Sequence, residues 1–99
     1  IRGMTLLDEL RAQRDVILQA AARYGLADVR VFGSVARGEE TEDSDLDLLV
    51  SYTPHATLLK HGGFIAEMED LFHRKVDAVH DKSLHWVIRE DVLSEAKPV

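Results

Sequence analysis

The sequence predicts a small α/β (α+β) domain, a sheet of three strands with helices packed on it and scope for one further short edge strand. Three observations predict this. Apolar residues recur at helical spacing near both ends of the chain and once in its middle. Three short runs rich in β-branched and aliphatic residues lie between those stretches. The two patterns follow one another as helix, strand, strand, helix, strand, helix. The order of the strands within the sheet is not contained in periodicity alone.

The first helix opens at Thr5, whose hydroxyl can cap it with Asp8 three residues on. Leu6, Leu10, Ile17, Ala21 and Tyr24 then recur at helical spacing across polar Gln13 and Arg14, which predicts one long amphipathic helix. Gly25 is its natural stop. Val29-Arg30-Val31-Phe32 reads as the first strand. Gly33-Ser34 follows at once, a small segment runs on to Gly38, and the polar residues 39–44 read as a loop. Residues 45–52 read as the second strand. Asp45, Asp47 and Leu49 face one way on it, Leu46, Leu48 and Val50 the other. Pro54 ends that strand.

A second helix lies within residues 58–72, with Phe64, Met68, Leu71 and Phe72 as its apolar stripe and Gly62-Gly63 weakening its first turn. Residues 76–80 form the third strand. The last helix runs from about Ser83 to Ala96 and carries Leu84, Val87, Ile88, Val92 and Ala96. Trp86, near its start, reads as a core aromatic.

Ninety-nine residues suit one domain, taken as residues 4–99, with Ile1-Arg2-Gly3 before Met4 read as an expression scar. The absence of cysteine excludes a disulfide framework and thiolate zinc sites and is compatible with a cytoplasmic location. No apolar run approaches the roughly 20 residues that span a bilayer, so no membrane partner is expected. The formal charge is −6, and the acids cluster from Glu39 to Asp47. A protein that grips long nucleic acid by itself needs a basic stripe, so that partner is not expected either. A small phosphate compound carried with a divalent metal remains, because the metal reverses the local sign.

Asp45 and Asp47 project from one strand face about 7 Å apart by backbone spacing. At an effective dielectric near 20 such charges repel by roughly 2–3 kcal/mol, and Asp is a poor strand former. A divalent cation with oxygen ligands, Mg²⁺ above all, turns that repulsion into attraction. Asp77 stands in the otherwise apolar run Val76-Asp77-Ala78-Val79. If the third strand lies beside the second, three carboxylates share one face and suit a pair of metal ions of the kind used in nucleotidyl transfer. Gly33-Ser34 lets backbone approach a ligand closely and aims N–H groups, with the Ser34 hydroxyl, at an anion. Arg37 can reach a phosphate or form a surface pair with Glu39 or Glu40. The five histidines have no ligand-like spacing and read mostly as surface residues, with His80 and Asp81 ending the third strand near the proposed site.

Phe32-Gly33-Ser34-Val35-Ala36-Arg37-Gly38-Glu39 followed by Ser44-Asp45-Leu46-Asp47-Leu48-Leu49-Val50 resembles the signature of the polymerase β-type nucleotidyltransferases. That signature is Gly-Ser, about ten residues, then Asp-x-Asp. Asp77 sits where that superfamily carries its third acid. Ala36 to Glu39 matches the stand-alone minimal nucleotidyltransferases, the MNT family. The resemblance implies the polymerase β-type fold, with a small mixed sheet of three or four strands packed with helices. It implies Asp45, Asp47 and Asp77 as catalytic metal ligands, with two Mg²⁺ ions expected, and Gly33, Ser34, Arg37 and Ser44 around the nucleotide.

The same resemblance implies ATP as substrate and a HEPN-domain ribonuclease toxin as partner. MNT proteins of HEPN/MNT pairs serve as antitoxins, and the implied reaction moves AMP from ATP to a hydroxyl, expected to be a tyrosine of the toxin. A chain of this size leaves little room for an acceptor-binding domain, so the acceptor is expected on another protein; a homo- or a hetero-oligomer is compatible with that. Two alternatives stand beside it: a catalytically silent antitoxin that occludes its toxin, and a small-molecule nucleotidyltransferase. Lys97-Pro98-Val99 reads as a truncated or disordered tail.

Overall fold

The computed structural model describes residues 3–99. Ile1 and Arg2 of the expected scar lie outside the described residues. The chain forms helices α1 (Leu6–Ala12) and α2 (Arg14–Arg23), strand β1 (Leu26–Phe32) and the short helix α3 (Gly33–Arg37). Strand β2 (Leu46–Tyr52), helix α4 (Leu58–Phe72) and strand β3 (Val76–His80) follow. A 3₁₀ turn at Asp81–Ser83 leads into helix α5 (Trp86–Glu95) and the edge strand β4 (Lys97–Pro98). The sheet order is β3-β2-β1-β4, with β2 and β3 parallel and the other two pairings antiparallel. This is the expected mixed α/β architecture with the fourth strand present.

Thr5 and Asp8 cap α1 reciprocally, each side chain accepting the other's backbone N–H at 3.1 Å. The single long helix expected from periodicity is instead two. Gln13 turns between them, yet Ile17 N–H still donates to Gln13 O at 3.0 Å, so the chain bends without losing the ladder. With that bend Leu6 and Leu10 join Ile17, Ala20 and Ala21 in one cluster.

β1 is longer than expected. A bulge at Asp28, φ +50°, shifts its register against β2 between Ala27 and Arg30. The extra residue lets Leu26 and Val29, three apart, both face the core. β2 begins one residue late, so Asp45 precedes the strand and does not lie on it. α4 forms over the full expected range despite Gly62-Gly63, because Thr57 accepts the Lys60 N–H at its start.

Leu46, Leu48, Val50, Val76 and Ala78 of the sheet pack against Phe64 and Met68 of α4 and Ile17 of α2. That leaves the face bearing Asp47 turned away from the main core. On it Leu49 is fully buried, and Val92 of α5 is the other buried residue outside the main cluster. Val92 is the one member of the expected α5 stripe that is buried. Val87, Ile88 and Trp86 are exposed, Trp86 at 80%. The core role expected of Trp86 is therefore overturned, because the helix starts beyond the edge of the surface it covers.

The tail is not disordered. Lys97 and Pro98 pair with Val31 and Arg30, and Val99 is buried. His61 is not a surface residue either. Its Nε2 donates to Ala78 O at 2.6 Å, and its Nδ1 accepts from the Tyr52 hydroxyl, whose ring stacks on His80. No helix among the described residues is long and apolar enough to cross a membrane.

Gly25 joins α2 to β1 at φ +72°, and a Cβ there would lie 2.8 Å from Ala56 N and from His55 C. Both the conformation and the backbone contact reject a side chain. Gly25→Ala is expected to lower stability by about 1–3 kcal/mol in urea unfolding. A loss below about 0.5 kcal/mol, the usual effect of a surface substitution, would contradict this packing.

Candidate active site

Gly33 sits at the junction of β1 and α3. It follows Phe32, which is extended, and takes φ +74°, a conformation that a β-carbon disfavours. A side chain there would also displace the Asp47 carboxylate. A Cβ on Gly33 would overlap Asp47 Oδ2, so the carboxylate rests directly against the glycine backbone. The two halves of the site, separate in the sequence, are in contact. Phe32 is the register partner of Asp47 across β1 and β2, which fixes that contact.

Asp47 and Asp77 are register partners across β2 and β3 and project from the same sheet face. Asp47 is half-buried and Asp77 exposed. Asp45, just before β2, has its Oδ2 3.8 Å from Lys75 Nζ. Burial, then the charges of Asp77, Asp45 and Glu95, push the Asp47 carboxyl above the ordinary Asp range, with Arg37 opposing them. Uncompensated negative charge and oxygen-only donors fit a hard divalent cation such as Mg²⁺. The side chains are not closed around one point. Among the described residues no group of three His, Cys, Asp or Glu side chains is gathered tightly enough to hold an ion as it stands.

The expected phosphate residues divide. Gly33 and Ser34 form the first turn of α3, whose leading N–H groups have no partner within the helix. The Gly33 N–H donates instead to Glu95 Oε2 at 2.9 Å. Arg37 pairs with Glu39, as one option from the sequence had it, and also with Glu95. The Ser44 hydroxyl is engaged elsewhere, accepting the Thr41 N–H at 2.8 Å within its loop.

Three contributors were missed in the sequence. Arg74 Nη1 donates to Thr41 O at 3.2 Å and Ser44 O at 2.9 Å, and Lys75 O accepts the Leu46 N–H at 2.9 Å. Arg74 and Lys75 therefore hold the segment that carries Asp45. Glu95, at the end of α5, reaches the glycine turn. A lone basic pair before a strand and a lone acid at a helix end carry no local signal for either role.

Beside this acidic centre lies a second polar group. Asp81 accepts from Ser51 Oγ at 2.8 Å and pairs with Arg30 at 3.4 Å. Burial disfavours its charge, but Ser51, His80, the Lys82 N–H and Arg30 together hold its carboxyl below the usual range.

Comparison with known proteins matches this geometry to one family. The nucleotidyltransferase domain profile matches residues 14–99. The protein adenylyltransferase MntA of Thermococcus cleftensis is 41% identical over 73 residues, covering 74% of this chain and 74% of the relative. A solved structure described as a candidate minimal nucleotidyltransferase superposes over the whole of both chains with a TM-score of 0.84 and 47% identity. A toxin–antitoxin crystal structure with AMP-PNP shares the fold, with a TM-score of 0.71 at 20% identity over 85% of this chain and 69% of that one.

The charge around Asp47 has a measurable consequence. A carboxyl raised in the native state binds its proton more tightly there than in the unfolded chain, so stability falls as pH rises through that interval. With a chelator present, Asp47→Asn is expected to raise the urea midpoint at pH 7. The gain should close as pH falls below about 4, where the unfolded carboxyl is protonated too. An Asn variant less stable than the parent at pH 7 would show that the carboxylates are not in conflict.

Proposed function

The chain belongs to the nucleotidyltransferase domain family, and from that premise we propose that it is a protein adenylyltransferase acting as the antitoxin to a HEPN-domain toxin. Residues 4–99 act as a single catalytic domain. The observation that carries the reading is the contact between Asp47 and the Gly33 turn, with Asp77 in register on the next strand. A turn that offers N–H groups to phosphate oxygens stands directly beside carboxylates that need a cation. ATP with its magnesium supplies both partners at once.

In this reading Gly33, Ser34 and Arg37 hold the triphosphate. Ser44 supports the loop before Asp45, with any nucleotide contact of its own requiring its hydroxyl to leave Thr41. Asp45, Asp47 and Asp77 would hold Mg²⁺, two ions in the arrangement that the carboxylate count suits. Bound there, the metal would neutralise the triphosphate and stabilise the departing pyrophosphate. The acceptor is a hydroxyl of the toxin, a tyrosine by family precedent. Its oxygen forms the bond to the α-phosphorus, the bond from that phosphorus to the bridging oxygen of the β-phosphate breaks, and pyrophosphate leaves. The hydroxyl proton passes to Asp77, the most exposed of the three acids and so the one open to an incoming protein.

The support for a protein acceptor is twofold. The MntA relative bears the name protein adenylyltransferase, and toxin–antitoxin complexes share the fold. The reaction belongs in the cytoplasm, where ATP and the toxin meet.

The test is incubation of the chain with α-labelled ATP, Mg²⁺ and the HEPN protein encoded beside it. Label is expected on a toxin tyrosine, with Asp45→Ala and Asp47→Ala each reducing the rate by about 100-fold or more. Intact inhibition of the toxin with no label transferred would sink the enzyme reading and leave an occluding antitoxin. Label on a small molecule alone would redirect the acceptor.

A further inference from the structure

α5 brings into the site a carboxylate for which the proposed transfer has no use. Glu95 Oε2 accepts the Gly33 N–H at 2.9 Å, and Oε1 pairs with the Arg37 guanidinium. Those are two of the donors assigned above to triphosphate oxygens. A carboxylate offers them two anionic acceptors, as a phosphate group does.

The position of Glu95 on its own helix does not favour an acid. It is the last residue of α5, where the helix dipole disfavours negative charge, and that last turn contains no basic residue. It adds its charge to those of Asp45 and Asp77 against Asp47. Burial works against its ionisation too, yet the Gly33 N–H and Arg37 outweigh that and hold its carboxyl below the ordinary range. The anion cradle is its compensation.

We propose that Glu95 is a built-in competitor of the nucleotide, its carboxylate lying between Gly33 N–H and Arg37 where a triphosphate oxygen would bind and leaving before ATP can enter. The proposal rests on the nucleotide reading above. Exchange requires the side chain to rotate and not the helix to detach. The backbone beyond Glu95 is pinned by β4 pairing with β1, by Lys97 Nζ donating to Ala36 O at 2.8 Å and by buried Val99. The Glu95 side chain is 24% exposed, so it has a path to solvent without movement of the backbone. Glu95 therefore sets the nucleotide affinity of the free protein, which is reduced by the fraction of time the cradle is open.

The test uses the full chain, calorimetric titration with AMP-PNP in Mg²⁺, and the Gly33 amide resonance as an independent reporter. Glu95→Ala is expected to bind AMP-PNP about tenfold tighter or more. Glu95→Gln should fall between, because its amide oxygen still accepts from Gly33 but carries no charge. Asp91→Asn removes the same unit of charge from the exposed side of α5 and should leave the affinity within about twofold, since exposed distant charge is screened. The Gly33 resonance should move both on Glu95→Ala and on adding AMP-PNP to the parent chain.

Glu95 variants that bind no tighter than Asp91→Asn would overturn the competitor while leaving nucleotide binding intact. Failure of AMP-PNP to bind either the parent or Glu95→Ala would overturn the nucleotide reading, and this proposal with it. If Glu95→Ala does not fold, the near-isosteric Glu95→Gln decides by the same comparison.

Discussion

The Asp47 carboxylate rests on the bare backbone of Gly33, and most of the functional half of the molecule follows from that contact. It requires β1 and β2 to pair with Phe32 opposite Asp47, and it is favoured by a glycine at positive φ at the end of β1. Once those conditions hold, α3 begins beside the acids, and its first N–H, that of Gly33, is held by the Glu95 carboxylate. The parallel pairing of β2 with β3 then adds Asp77 at no cost in further structure. A cradle for anions and a holder for cations arise from one strand register.

The sheet separates stability from chemistry. Its helix-packed face holds the main cluster, from Leu10 and Ile17 to Phe64 and Met68. The opposite face holds the acids, the Arg30–Asp81–Ser51 group and only a small apolar patch around Leu49. Gathering like charges there works against folding, and the main core on the far side offsets it. α5 lies over this second face with one buried residue, Val92, and exposes Trp86, Val87 and Ile88 at its start. A helix so lightly anchored at one end and tied by β4 at the other leaves the site partly covered without sealing it.

Legibility differed by element for physical reasons. β3, α4 and the alternation of faces on β2 were readable because each buries an unbroken local pattern on a single surface. The first helix was not, since no proline or glycine marks its break at Gln13. Asp28 gave no warning of a bulge, whose purpose is visible only when Leu26 and Val29 are seen facing the same cluster. Trp86 looked like core because an apolar stripe has no way to indicate how far the covering surface extends. Arg74 and Glu95 act on segments 30 and 62 residues away, beyond the reach of any spacing rule.

For the site, the chain by itself determined the chemical kinds: a glycine-serine turn, two acids two residues apart, and a third acid in an apolar strand. Those are covalent facts, and the interval between Gly33-Ser34 and Asp45 carried the family resemblance. Tertiary structure alone decided their relations. Strand register set Asp47 against Gly33 and Asp77 beside Asp47, moved Asp45 just off the strand toward Lys75, and turned Ser44 into its loop. It also brought Glu95 into the anion cradle, because hydrogen bonds and charge act through space, where residues far apart in the chain become neighbours.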